Sequence, residues 1–152
     1  MDNFLAHLIC PDCGHKLKKT NNGQYLLCEV CSEKHPIHKN RPILLNGNSL
    51  FSKQDLFHSL AKRKRKKRRI STFAPKTSVN LSSHILPKLF KQLSISTEDT
   101  AQVLVIGAGS SKNWLDKKSS PYNNIKIIYS DIDSASEVDL YCDAHSLPFI
   151  DS

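Results

Sequence analysis

Residues 103–111 read VLVIGAGSS, and the fold is decided by how they are read. Val103, Leu104, Val105 and Ile106 form an unbroken apolar run that leads directly into Gly107-Ala108-Gly109. A short apolar run bounded by glycine is the pattern of a strand buried on both faces, as in a parallel sheet. Glycines at its end let the chain turn sharply and bring the backbone close to a ligand. In open α/β sheets ligands bind beyond the carboxyl ends of the strands, where this loop falls. On this reading everything upstream is an appendage to an α/β unit.

Downstream the same theme repeats. Residues 110–118 form a candidate short helix whose N-terminus points at the glycine loop. A second strand, IKIIY over 125–129, ends in Ser130-Asp131-Ile132-Asp133. A third, VDLYC over 138–142, ends in Asp143-Ala144-His145-Ser146-Leu147-Pro148-Phe149. Three strands therefore end in glycines, an acid and an acid at one edge. An acid about 20 residues after a strand–glycine turn is the partner expected for ribose hydroxyls. Its carboxylate can accept from both hydroxyls at once. An acid after the third strand can accept from an adenine amine. The dinucleotide pattern G-x-G-x-x-G requires glycine where Lys112 stands, and the glycine spacing of a P-loop is missing before Lys112.

The sharpest local signal lies at the other end of the chain. Cys10-Pro11-Asp12-Cys13 is followed, after 14 residues, by Cys28-Glu29-Val30-Cys31. Each C-x-x-C sets two thiolates on one tight turn, the separation a tetrahedral Zn²⁺ needs. The intervening residues suit a β-hairpin turning at Asn22-Gly23. Four sulfurs close the coordination shell, so the expected metal is structural. His7, His15, His35 and His38 lie nearby and are read as ordinary surface residues rather than as replacements for a cysteine. Neither C-x-x-C opens a βαβ unit, which argues against a redox role. Pro36 and Pro42 punctuate short extended pieces, and Ile43-Leu44-Leu45 is expected to pack the hairpin.

Between the two ends the chain turns basic. Ser52-Lys53-Gln54-Asp55 has the form of a helix N-cap, and Leu56, Phe57, Leu60 and Ala61 make a short apolar face. Then come Lys62, Arg63, Lys64, Arg65, Lys66, Lys67, Arg68 and Arg69, which carry the whole formal net charge of +8. Such a run is a solvated helix end or linker, or a phosphate-binding strip for RNA or DNA. Residues 71–80 read as a linker, and 81–93 as an amphipathic helix that starts or kinks at Pro87. No stretch is apolar enough to span a membrane, and the N-terminus lacks a secretory signal. The expected location is cytoplasmic, where paired cysteines are metal ligands rather than disulfides.

Two resemblances follow from these motifs. LICPDCG, YLLCEVCSEKHPIHKNRPILL and their spacing resemble the zinc-binding region of the small ribbon protein that activates RNA and protein methyltransferases. Pro36, Ile37, Pro42, Leu44 and Leu45 match that family's second half, whereas His35, Asn40 and Arg41 depart from it. Gly107-Ala108-Gly109, Asp131 and Asp143-Ala144-x-x-Leu147-Pro148-Phe149 resemble the class I S-adenosylmethionine-dependent methyltransferases of the type-eleven kind. That family usually has an acid where Val105 stands and a third glycine where Ser111 stands. The resemblance implies that Gly107, Ala108 and Gly109 lie under the methionine part of S-adenosyl-L-methionine. It further implies that Asp131 and Ile132 flank the ribose, and that Asp143 and Ala144 meet the adenine.

The expected class is therefore α/β: an N-terminal zinc ribbon followed by the first half of a Rossmann-like, doubly wound methyltransferase domain. The expected units are a ribbon over 1–50, a basic helix and linker over 51–80, and an incomplete cofactor-binding half over 81–152. The expected function is methyl transfer from S-adenosyl-L-methionine, with Zn²⁺ held by Cys10, Cys13, Cys28 and Cys31. The catalytic residues and the methyl acceptor are not legible in this chain. The rival is a ribbon module that binds RNA or protein and carries a non-catalytic Rossmann-like remnant.

Overall fold

The structure is a computed structural model that describes residues 4–49, 51–62, 82–109 and 112–150. Residues 63–69 of the basic run, the linker at 71–80, and Ser110 and Ser111 lie outside the described residues. The described chain is mixed α/β. Its strands are β1 (Leu17–Lys19), β2 (Tyr25–Cys28), β3 (Lys34–His38), β4 (Arg41–Leu44), β5 (Ala101–Ile106), β6 (Ile125–Asp131) and β7 (Leu140–Cys142). Its helices are α1 (Lys53–Lys62), α2 (Ser82–Ser96) and α3 (Lys112–Ser119). Among the described residues no helix is long and apolar enough to cross a membrane.

The ribbon is not an appendage. All seven strands form one sheet in the order β1-β2-β3-β4-β7-β6-β5. β1 to β4 run antiparallel, and β4 then pairs in parallel with β7, Ile43 opposite Tyr141 and Leu44 opposite Cys142. Strand alternation sends Ile43 and Leu45 to one face of β4 and Leu44 to the other. Each face has its own core. On one, Ile43, Leu45, Tyr129 and Tyr141 pack with Leu56 and Leu60 of α1, Phe90 of α2 and Leu115 of α3. On the other, Leu44, Ile128, Leu140 and Cys142 pack with Phe4, Leu8 and Leu26. Leu8 also bridges Phe149 on that face.

Two expectations are corrected in detail. β5 is not buried on both faces: no side chain in it is fully buried, and Ile106 is 46% exposed. The reason is position, since among the described residues β6 is its only partner in the sheet, and an apolar run alone does not distinguish an edge from a centre. α2 begins at Ser82, so Pro87 sits inside the helix rather than opening it. Between β6 and β7 the described chain forms no helix. Eight residues, 132–139, make that connection, and so short a link returns only to the level of Ser130, which pairs with Leu140.

Candidate metal centre and strand-end site

The four cysteines meet as their spacing requires. Their sulfurs lie within 4.8 Å of one another, with Cys10–Cys31 at 3.6 Å, Cys13–Cys28 at 3.4 Å and Cys13–Cys31 at 3.4 Å. Tetrahedral Zn–S bonds of about 2.3 Å put sulfurs about 3.8 Å apart, close to these separations. None is in a disulfide. The donor set therefore fits Zn²⁺.

Two similar turns hold them. In the first, the Gly14 N–H donates to the Cys10 carbonyl at 2.8 Å, and Gly14 is left-handed at φ 74°. In the second, Ser32 takes the corresponding place after Cys31, also left-handed at φ 61°. Burial pushes the Cys10 thiol up to about 12, whereas the Cys31 N–H draws Cys28 down to about 6, with the Val30 N–H adding to it against burial.

His35 is not a surface residue. It is wholly buried, with Nε2 3.4 Å from Cys10 Sγ and Nδ1 without a partner. Burial holds the imidazole neutral, down to about 4, with the Lys53 charge adding to the effect. A neutral imidazole with Nε2–H donates to a thiolate, which suits support of a metal ligand rather than replacement of one. His15 remains exposed, with Nδ1 2.9 Å from the Cys13 carbonyl oxygen, and His7 is exposed. His38 packs edge-on against Phe57 at 5.8 Å. The signal missed for His35 was its place: a strand residue four positions after the last cysteine, in register with Leu26.

From the first cysteine turn, contacts reach the loop after β4 and the start of α1. Asp12 accepts from the Gly47 N–H at 2.9 Å and from Lys53 Nζ at 3.2 Å, and Lys53 also reaches Glu33 at 2.8 Å. Two residues beyond Gly47, the Ser49 hydroxyl donates to Asn46 Oδ1 at 3.0 Å.

Because β5, β6 and β7 are parallel, Gly107-Ala108-Gly109, Asp131 and Asp143 converge on one edge of the sheet. Gly107 and Gly109 are left-handed at φ 64° and 50°, which a side chain would strain. Asp131 ties the first two devices together. Its Oδ2 accepts from the Gly109 N–H at 2.8 Å and the Ser136 hydroxyl at 3.0 Å. Its Oδ1 accepts from the N–H groups of Ile132 at 2.8 Å and Asp133 at 3.0 Å. Burial alone would raise its pKa, but these donors together hold the carboxyl below the usual range. Asp143 is likewise held low by the His145 N–H and ring, both at 2.9 Å. Ile132 is half-buried against the helical core, and Ala144 is exposed. The participation of Ser136 carried no sequence signal, since an isolated serine in a loop matches no spacing rule. No family model and no curated protein matches the chain.

Proposed function

We propose that the edge formed by the ends of β5, β6 and β7 binds S-adenosyl-L-methionine, and that the chain is the donor-binding part of a methyltransferase whose ribbon holds one structural Zn²⁺. The observation that supports this most directly is the convergence of Gly107-Ala108-Gly109, Asp131 and Asp143 on one sheet edge. The bound cofactor supplies an electrophilic methyl group on a sulfonium. The protein's part is to hold it. The open backbone at Gly107 and Gly109 admits the methionine portion. Asp131 receives the ribose hydroxyls by exchanging Ser136, the one side-chain donor it now holds, while its backbone donors keep the carboxylate charged. Asp143 lies at the next strand end for the adenine amine, and Cys10, Cys13, Cys28 and Cys31 hold the metal.

The test is calorimetric titration of the protein with S-adenosylhomocysteine. Asp131→Ala is expected to weaken binding about 30- to 150-fold, the loss of charge-assisted bonds worth about 2 to 3 kcal/mol. Asp143→Ala is expected to cost less, because adenine keeps its apolar contacts. Metal content should stay at one equivalent in both variants. Binding of NAD in preference, or unchanged binding in Asp131→Ala, would reject the reading. A second reading, a ribbon module for nucleic acid, rests on the basic run that begins at the end of α1. It predicts that neutralising four of its cations flattens the slope of log affinity against log salt by about 3 to 4.

A further inference from the structure

The opposite edge of the sheet carries a cavity. β6 starts at Ile125, but β7 starts only at Leu140, level with Ser130. Beneath β7 the sheet therefore has a notch between β6 and the start of β4, and it forms a cavity of about 340 Å³. Asp139 closes its upper end. Its N–H donates to the Tyr129 carbonyl at 2.9 Å and its Oδ2 accepts the Tyr129 N–H at 3.0 Å, in place of the strand that is missing there.

Ile37, Pro42, Ile127 and Ile128 give the cavity an apolar lining, and Lys19, Lys39, Arg41 and Lys126 surround it with positive charge. A fifth cation, Lys112, is already engaged by Asp139 at 3.4 Å and lies 4.9 Å over the Tyr129 ring. Among the described residues none of the other four has a carboxylate partner. Lysines that serve only for solubility gain by spreading apart in water. Here four cations from three strands and one turn converge on a concave apolar surface, where mutual repulsion is relieved by an anion. The turn adds a second sign. Lys39 and Asn40 occupy a two-residue hairpin at φ 50° and 62°, a geometry that favours Asn-Gly and strains a lysine at its first position.

We infer that this notch binds a nucleoside phosphate, with the phosphate among Lys39, Arg41 and Lys126 and the sugar and base over the isoleucines. Its size lies near the lower end of small-molecule pockets, about 300 to 1,000 Å³, which suits one nucleotide rather than two. The site lies at the opposite ends of the parallel strands from the glycine loop, so it stands apart from the cofactor reading.

The test is calorimetric titration of the whole chain at low salt with uridine 5′-monophosphate, uridine, and a 5′-phosphorylated single-stranded oligouridylate. The phosphate-bearing probes should bind one to one, and uridine should bind at least tenfold more weakly. Binding of the mononucleotide identifies a free nucleotide as the source; binding of the oligonucleotide alone identifies a strand end. Lys126→Gln and Arg41→Gln should each weaken binding about tenfold or more, and Lys91→Gln on α2 should leave it unchanged. If Arg41→Gln unfolds, Lys126→Gln decides alone. Replacing the cations at 63–69 with glutamine should leave mononucleotide binding intact. The inference is overturned if neither phosphate probe binds, if uridine binds as well as its phosphate, if Lys126→Gln binds normally, or if the 63–69 replacement abolishes mononucleotide binding.

Discussion

At His35 a single side chain links the core to the four-cysteine cluster that could hold a metal. Its Nε2 lies 3.4 Å from Cys10 Sγ, and its ring is sealed from solvent, so a bound thiolate would have one fixed donor beside it. Such partners tune ligand basicity and orientation, and their loss typically costs 10- to 100-fold in metal affinity. His35→Ala is expected to lower Zn²⁺ affinity by about that factor in a chelator competition, with four cysteines still titrating; an unchanged affinity would limit His35 to packing. Asp131 makes a comparable statement at the other site. Its folded pKa lies below the unfolded value, so the stability it contributes is present above about pH 4 and is lost as pH falls through the folded value. Asp131→Asn, which keeps the shape but not the charge, should cost about 1 to 2 kcal/mol at neutral pH. It should also flatten the fall of unfolding free energy as pH drops below about 4, as read by denaturant titration. Equal slopes for the two proteins would mean that the four donors do not favour the charged form.

Elements differed in how much of themselves the sequence disclosed. α1 was legible from its start: Ser52 Oγ accepts the Asp55 N–H at 3.0 Å, the N-cap bond expected there, and its hydroxyl donates to Asp55 Oδ2 at 2.7 Å. Ser52→Ala should therefore destabilise the protein by about 1 kcal/mol, with loss of helical signal as the measure. The two cysteine turns were legible for a similar reason, since ligand spacing is local chemistry. What was not legible was partnership at long range. Nothing in RPIL or LYC announces that β4 and β7, about 100 residues apart, lie side by side, because parallel pairing is set by which apolar faces remain uncovered once the hairpins have formed. The same limit explains β5. Its composition suits a central strand, yet its lateral place leaves every side chain at least partly accessible. The notch was hidden too, because it follows from β7 being shorter than β6 and not from any residue pattern.

For the whole molecule, the shared sheet turns a local metal site into a global prediction. Outside the basic run the charges balance in number but not in place. Asp12, Glu33, Asp131 and Asp143 gather toward the cysteine and glycine-loop edge, and Lys19, Lys39, Arg41 and Lys126 around the notch. β4 spans these two ends and supplies side chains to both cores. Trp114, the one tryptophan, packs against the helical core from α3, far along the chain from the cysteines. If the ribbon and the parallel strands unfold as one unit, removing the metal must lower the transition seen by Trp114 fluorescence. Loss of about 3 kcal/mol corresponds to a fall of roughly 6 to 12 °C, at about 2 to 4 °C per kcal/mol for a chain of this length. Chelation and Cys28→Ser should produce that fall alike. Ile43→Ala, which leaves the cysteines intact but opens a cavity at the wholly buried centre of β4, should lower the same transition through a loss of about 2 to 5 kcal/mol. Should chelation melt the hairpin while the Trp114 midpoint stays put, the β4–β7 pairing would not couple the two halves, and the ribbon would behave as a separate folding unit.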